Sequence, residues 1–143
     1  LFISTRNSTG SAKFQLSLDG NTPKAELIWE SRNMKNYIST SVLLDGHVYG
    51  FNATRLTCMD FETGDALWRA SGFNKGSLIA ADGRLIIFGE RGSLALAEAT
   101  PDEYREISKF QLFDSITWIV PALADGRLYV RNEAELVCLD LRE

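Results

Sequence analysis

The sequence predicts an all-β chain: a partial β-propeller of about three and a half blades, each a small four-stranded antiparallel sheet, and a fragment of a seven- or eight-bladed ring. Three observations lead there. Asp-Gly pairs recur at Asp45-Gly46, Asp82-Gly83 and Asp125-Gly126, spaced 37 and 43 residues apart. Each pair lies between two short apolar runs, and no stretch carries the 3.6-residue apolar period of an amphipathic helix. A period near 40 residues with four strands to the unit belongs to a propeller rather than a sandwich.

The runs flanking the first pair are Val42-Leu43-Leu44 and His47-Val48-Tyr49. The second pair has Leu78-Ile79-Ala80 and Arg84-Leu85-Ile86, and the third has Ala122-Leu123-Ala124 and Arg127-Leu128-Tyr129. Asp-Gly between such runs signals a two-residue hairpin, because Gly accepts the positive φ of a type I′ turn. A third run follows about ten residues later in each unit: Leu56 to Asp60, Leu94 to Glu98, Leu136 to Asp140. Every one ends in a carboxylate. A fourth run closes two units, Ala66-Leu67-Trp68 and Ile107 to Phe110, and an earlier truncated copy comprises Leu1 to Ser4, Phe14 to Asp19 and Glu26 to Trp29. This alignment puts Trp29, Trp68 and Phe110 at one repeat position. It also divides a single domain, 1–143, into blades of roughly 1–32, 38–70, 76–112 and 118–143. Runs such as Arg84-Leu85-Ile86-Ile87-Phe88 are apolar on both faces, as expected of strands covered from both sides.

Composition excludes several functions. The 143 residues are 45% hydrophobic and 24% charged, ordinary for a soluble globular protein. A net charge of -4 without any basic run argues against a nucleic-acid partner. No apolar stretch approaches the 18 residues or so of a membrane helix, so no membrane insertion is expected. The chain opens Leu1-Phe2-Ile3 on a strand-like segment, which reads as a piece of a longer or processed protein.

The stretch Cys58-Met59-Asp60-Phe61-Glu62-Thr63-Gly64-Asp65-Ala66-Leu67-Trp68 resembles the repeat of quinoprotein-like (PQQ-like) propellers, A-x-D-x-x-T-G-x-x-x-W, departing only at Cys58. Physically, Asp60 and Thr63-Gly64 set the turn between third and fourth strands, and Trp68 is an aromatic wedge between blades. Gly92 to Phe110 resembles the penultimate blade of a bacterial subgroup of that family, and Asp125 to Asp140 its final blade. The resemblance implies a natural C-terminus, a last blade that stops after its third strand, and a fourth strand supplied by the protein's N-terminal region.

Quinone-dependent members of the family hold pyrroloquinoline quinone beside calcium, with a vicinal Cys-Cys pair, carboxylate and amide ligands and an Asp base. This chain has no Cys-Cys pair, and Asp60, Glu98 and Asp140 read as turn caps. No cofactor is expected in it. Cys58 and Cys138 hold one place on third strands two blades apart, too far for a disulfide, and read as two buried small hydrophobes. His47, the sole histidine, follows a turn and reads as solvated, so neither a zinc site nor a histidine base is on offer. No G-x-S-x-G, Walker or G-x-G-x-x-G pattern occurs. Asn7-Ser8-Thr9 and Asn52-Ala53-Thr54 fit the glycosylation sequon by pattern alone.

A binding surface in such an array belongs on the links between one blade's fourth strand and the next blade's first: Asn33 to Ser39, Ser71 to Ser77 and Asp114 to Trp118. They carry Asn36, Tyr37, Asn74, Lys75 and Trp118, a polar-aromatic mixture suited to recognition. Trp118 has a second reading, as a plug of the channel or a packing residue between blades. The expected function is a non-catalytic PQQ-like repeat propeller, a binding or scaffold module of the bacterial cell envelope, periplasmic or extracellular, with a protein, peptide or glycan partner. The alternatives are part of a PQQ-dependent dehydrogenase whose active groups and calcium lie in a missing half, and a purely structural module of a larger enzyme. An open stack leaves two sheet faces bare. Self-association, or pairing with the missing half of the propeller, follows, and two copies hold the 28 strands of a seven-bladed ring. Replacing Trp68 by Ala should cost roughly 3–5 kcal/mol, read as a lowered urea midpoint at unchanged slope.

Overall fold

Each of the three Asp-Gly pairs places both residues at positive φ: 47° and 78° at Asp45-Gly46, 48° and 69° at Asp82-Gly83, 49° and 70° at Asp125-Gly126. That is the type I′ geometry whose twist matches the flanking strands. In each unit the residue after the third-strand carboxylate then donates its N–H to the hairpin glycine: Phe61 to Gly46 at 3.0 Å, Ala99 to Gly83 at 2.9 Å, Leu141 to Gly126 at 2.8 Å. Hairpin and third strand are thereby locked at one end.

The computed structural model describes residues 1–6 and 9–142, so the sequon at Asn7-Ser8-Thr9 lies outside the described residues. Sheet one comprises β1 (Phe2–Ser4), β2 (Ser11–Asp19) and β3 (Thr22–Ser31). Sheet two is β4 (Val42–Leu44), β5 (His47–Asn52), β6 (Arg55–Asp60) and β7 (Ala66–Ala70). Sheet three is β8 (Gly76–Ala81), β9 (Arg84–Gly89), β10 (Ser93–Glu98) and β11 (Glu106–Gln111). Sheet four is β12 (Ala122–Ala124), β13 (Arg127–Arg131) and β14 (Leu136–Asp140). Each sheet is a simple antiparallel meander in chain order, and no helix occurs among the described residues. The chain is all-β, a partial propeller.

The core lies between sheets. Tyr49, Cys58, Trp68, Phe73, Leu85 and Ile87 join sheets two and three. Phe88, Leu94, Phe113, Leu128 and Val130 join three and four, and Met34, Val48 and Met59 with Phe2 and Trp29 join one and two. Burial on both faces is found in the middle strands of the two inner sheets and in the first half of β8; β11 and β12 are exposed along their length.

The tryptophans connect each sheet to the next. Trp29 donates its indole N–H to the Phe61 carbonyl at 3.2 Å, and Trp68 donates to the Thr100 carbonyl at 2.8 Å. Both carbonyls sit in the turn between third and fourth strands of the following sheet. Asp60 shapes that turn in sheet two, its Oδ1 accepting the N–H groups of Glu62 at 2.8 Å and Thr63 at 2.7 Å. The Thr63 bond, ahead of the Glu62 bond, holds the Asp60 carboxyl below its usual range.

Three sequence expectations need correction. Fourth strands carry a bulge, at Ile28, Leu67 and Ile107, and the wedge tryptophans directly follow it. In sheet three Leu96 pairs with Ser108, so Ser108 stands where Trp68 stands opposite Cys58. Phe110 pairs with Leu94, two residues farther on, and is 47% exposed. The longer turn at 99–105 shifts the alignment. Next, β2 begins at Ser11, before the run read from sequence, and β3 extends past both ends of its run, because Gly20-Asn21 closes a long hairpin with Asp19 opposite Thr22. Finally, Cys58 is buried but Cys138 is exposed, since among the described residues no sheet covers that face of sheet four; both thiols are free.

Gly64 tests the wedge directly. It has φ +79°, and a Cβ there would meet the Trp29 ring at 2.9 Å, whereas Gly46, at φ +78°, has open space. Gly46→Ala should cost about 1 kcal/mol from backbone conformation alone. Gly64→Ala should cost about 1–3 kcal/mol more because the ring must move, giving a clearly larger fall in Tm by calorimetry. Equal falls would place no wedge on Gly64.

Candidate functional site

Meander topology puts the inter-sheet links and the turns between second and third strands at one end of the sheets. Backbone bonds tie the two together. Ala53 N–H donates to the Lys35 carbonyl at 3.2 Å, and Glu90 N–H to the Phe73 carbonyl at 3.0 Å. The third link is held by Thr117, whose N–H donates to the Glu90 carbonyl at 2.9 Å and whose hydroxyl donates to the Gly89 carbonyl at 2.8 Å. Each anchor sits one or two residues before a candidate recognition side chain.

These anchors gather three of the five candidates. The Tyr37 and Trp118 rings meet edge to face, with centroids 6.2 Å apart at 87°. Lys75 Nζ lies 4.9 Å from the Tyr37 centroid and 5.8 Å from that of Trp118. The Trp118 indole N–H donates to Glu90 Oε1 at 2.9 Å, and Lys75 Nζ is 3.6 Å from the same oxygen. On the other side the Arg6 guanidinium lies over the Tyr37 ring, 4.1 Å from its centroid. Edge-to-face pairs and partly exposed cation–π contacts are each worth about 0.5–1.5 kcal/mol, so the group is prearranged rather than loose. Trp118 is 51% exposed at this end of the sheets.

Asn36 and Asn74 serve the backbone instead. Asn36 accepts no neighbour from the aromatic group. Its N–H donates to Ser4 Oγ at 3.1 Å and its side-chain amide to Ser41 Oγ at 2.9 Å, stitching the link to sheets one and two. Asn74 is exposed at φ 55° and turns the second link toward β8. Arg6 and Glu90 were not among the sequence candidates. Glu90 had a faint signal, in the turn Gly89-Glu90-Arg91-Gly92 that must face the links; Arg6 had none. Beside Trp118 a hollow of about 160 Å³ is lined by Ile116, Ile119, Arg131, Asn132 and Glu133. Chemically the site offers an exposed indole face, two cations on aromatic rings and one carboxylate.

The residues present do not fit a calcium–quinone centre. Cys58 packs in the core with Tyr49 and Trp68, and burial pushes its thiol up to about 11; Cys138 is exposed two sheets away. The Asp60 and Asp140 carboxylates are occupied by N–H groups of their own turns. Among the described residues no group of three or more His, Cys, Asp or Glu side chains gathers as a metal would require. His47 starts β5 opposite Asp60, half-buried.

No protein-family profile matches the chain, and no curated protein sequence matches it. Among solved structures it is similar to the crystal structure of BamB from Moraxella catarrhalis, a propeller, with TM-score 0.67 and 14% identity over 96% of this chain and 45% of that one. It is also similar to the computationally designed Ika8 protein, with TM-score 0.59 and 10% identity over 89% of this chain and 44% of that one. At such identities the likeness shows the fold: the four sheets are propeller blades. The chain spans less than half the length of either structure.

Proposed function

We propose that this chain is a non-catalytic binding or scaffold module of the PQQ-like repeat kind, and that its binding surface is the link end centred on Tyr37, Lys75 and Trp118. One observation carries the reading. Links from three successive blade junctions deliver an exposed indole, a tyrosine and a lysine to one spot, with Arg6 and Glu90 completing it. A scaffold built only for stacking has no use for a half-exposed tryptophan held in a fixed orientation by a carboxylate. Aromatic rings with adjacent cations suit the side chains of a protein or peptide, or the faces of a sugar. The bacterial cell-envelope setting is supported by the resemblance of Cys58–Trp68 and Asp125–Asp140 to bacterial quinoprotein-like propellers, and by the fold shared with BamB.

Peptide and glycan arrays probed with the wild-type chain, with Trp118→Ala and with Tyr37→Ala should yield ligands whose signal falls at least about tenfold in both variants while both keep the wild-type circular dichroism spectrum. That fall is the size expected when a central aromatic anchor is truncated. Ligands that bind all three proteins equally would move the surface elsewhere. Dye-linked alcohol or sugar oxidation on adding quinone and calcium would overturn the non-catalytic reading.

A further inference from the structure

The aromatic group at the link end carries more cation than carboxylate. Lys75 and Arg6 both lie on its rings, while Glu90 supplies the one carboxylate bonded to it among the described residues. A single oxygen of that carboxylate, Oε1, accepts the Trp118 N–H and faces Lys75 Nζ, and the Glu90 side chain is only 15% exposed. Glu90 thus orients the indole and offsets Lys75. Arg6 has no such counterpart. It is exposed on the Tyr37 ring and forms no ion pair among the described residues.

The surrounding links share this bias. The first two, 32–41 and 71–75, contain Arg32, Lys35 and Lys75 and no carboxylate. The third adds Asp114, and Glu133 shares the hollow beside Trp118 with Arg131. The chain's net charge of -4 resides at the opposite end, where hairpins and outer turns hold Asp45, Asp82, Asp125, Glu62, Asp102 and Glu103. Such a separation lets one end of an acidic chain attract anions.

The polar groups around the rings are already spent. The Asn36 amide bonds Ser41 Oγ, the Thr117 hydroxyl bonds the Gly89 carbonyl, and Asn132 Oδ1 accepts the N–H groups of Ala134 and Glu135. A sugar needs such groups free to hold its hydroxyls. What stays open is cationic and apolar: Arg6, the indole face, and Ile116 beside it, 40% exposed. A guanidinium stacked on a ring still presents its N–H edge, which matches a carboxylate.

We propose that this surface selects an acidic peptide segment, its carboxylate held by Arg6 and Lys75 and an adjoining apolar side chain laid on the Trp118 indole, and that Glu90 sets the strength of the preference. This assignment rests on the link end being the binding surface and adds what that surface selects. The supporting facts are the unpaired cation on Tyr37, the half-offset one on Lys75, and the exposed indole between link and hollow.

Arrays of short peptides matched in length and apolar content, in acidic, uncharged and basic panels, test this beside uronic-acid and neutral glycans. The proteins are the wild type, Arg6→Gln, Lys75→Gln, Glu90→Gln, the Lys75→Gln/Glu90→Gln double variant and Trp118→Ala. The wild type should favour the acidic panel about tenfold or more over the uncharged one, less so as salt rises. Arg6→Gln should lower acidic-peptide binding about tenfold, the size of one charge-assisted hydrogen bond, and leave uncharged peptides unaffected. Glu90→Gln keeps an acceptor for the indole and frees Lys75, so acidic preference should rise about threefold. The double variant should lose that gain. Trp118-dependent binding that prefers uncharged or basic peptides, or either class of glycan, overturns the assignment and leaves the surface in place. So does a Glu90→Gln variant that loses all panels equally, as a merely structural Glu90 would. Binders indifferent to Trp118→Ala, or none in any panel, overturn the assignment together with the binding surface.

Discussion

The stack depends on one repeated interaction: the indole of one sheet laid on the turn of the next, with its N–H bonded to a turn carbonyl. Trp29 does this to Phe61 and Trp68 to Thr100. The contact joins a large apolar payload to a satisfied polar tip, which is how a tryptophan becomes an anchor rather than a burden in an interface. It also dictates the turn it lands on. Gly64 lacks a Cβ because the Trp29 ring occupies that space, and Asp60 draws the turn tight by accepting two N–H groups. At the third junction the position falls to Ser108, and a groove of about 140 Å³ opens between sheets three and four, lined by Ser108, Phe110, Leu128, Leu139 and Leu141 among others. The apolar contacts of Phe88, Phe113, Leu128 and Val130 hold that junction without a wedge.

Much of this architecture was legible in the sequence because turns obey strict local rules. Asp-Gly between apolar runs admits few conformations, and its spacing sets the repeat. The wedge was legible where the turn was short, at Trp68, and mis-assigned where the turn lengthened, at Phe110. A bulge and a few extra turn residues alter register without altering hydrophobic pattern. The length of the sheet-one hairpin escaped because its return strand was read only from Glu26, although Gly20-Asn21 after Asp19 marked its tip. Exposure of Cys138 was not legible either, since it depends on what lies beyond sheet four rather than on the strand itself.

The site was legible in part for a similar reason. Topology alone assigns links to one end, so Tyr37, Lys75 and Trp118 were candidates before any coordinates. Their meeting depends on link conformation, which Thr117 and Glu90 control through long-range bonds that no local pattern announces. Arg6 joins from a turn of a different sheet. The repeat thus constrains the sheets and their wedges tightly, and leaves the links free to carry recognition. The family resemblance speaks for the first and says nothing of the ligand.

If wedges and shared cores decide how firmly each sheet is held, stability is graded along the stack rather than uniform. Native-state hydrogen exchange reads that gradient amide by amide. The slowest amides should lie in β5, β6, β9 and β10, which share the junction sealed by Trp68, while amides of β13 and β14 should exchange through smaller openings at the unwedged junction. Protection of β14 equal to that of β6, at concentrations where the chain is dispersed, would contradict the claim that the indole anchors hold the blades together.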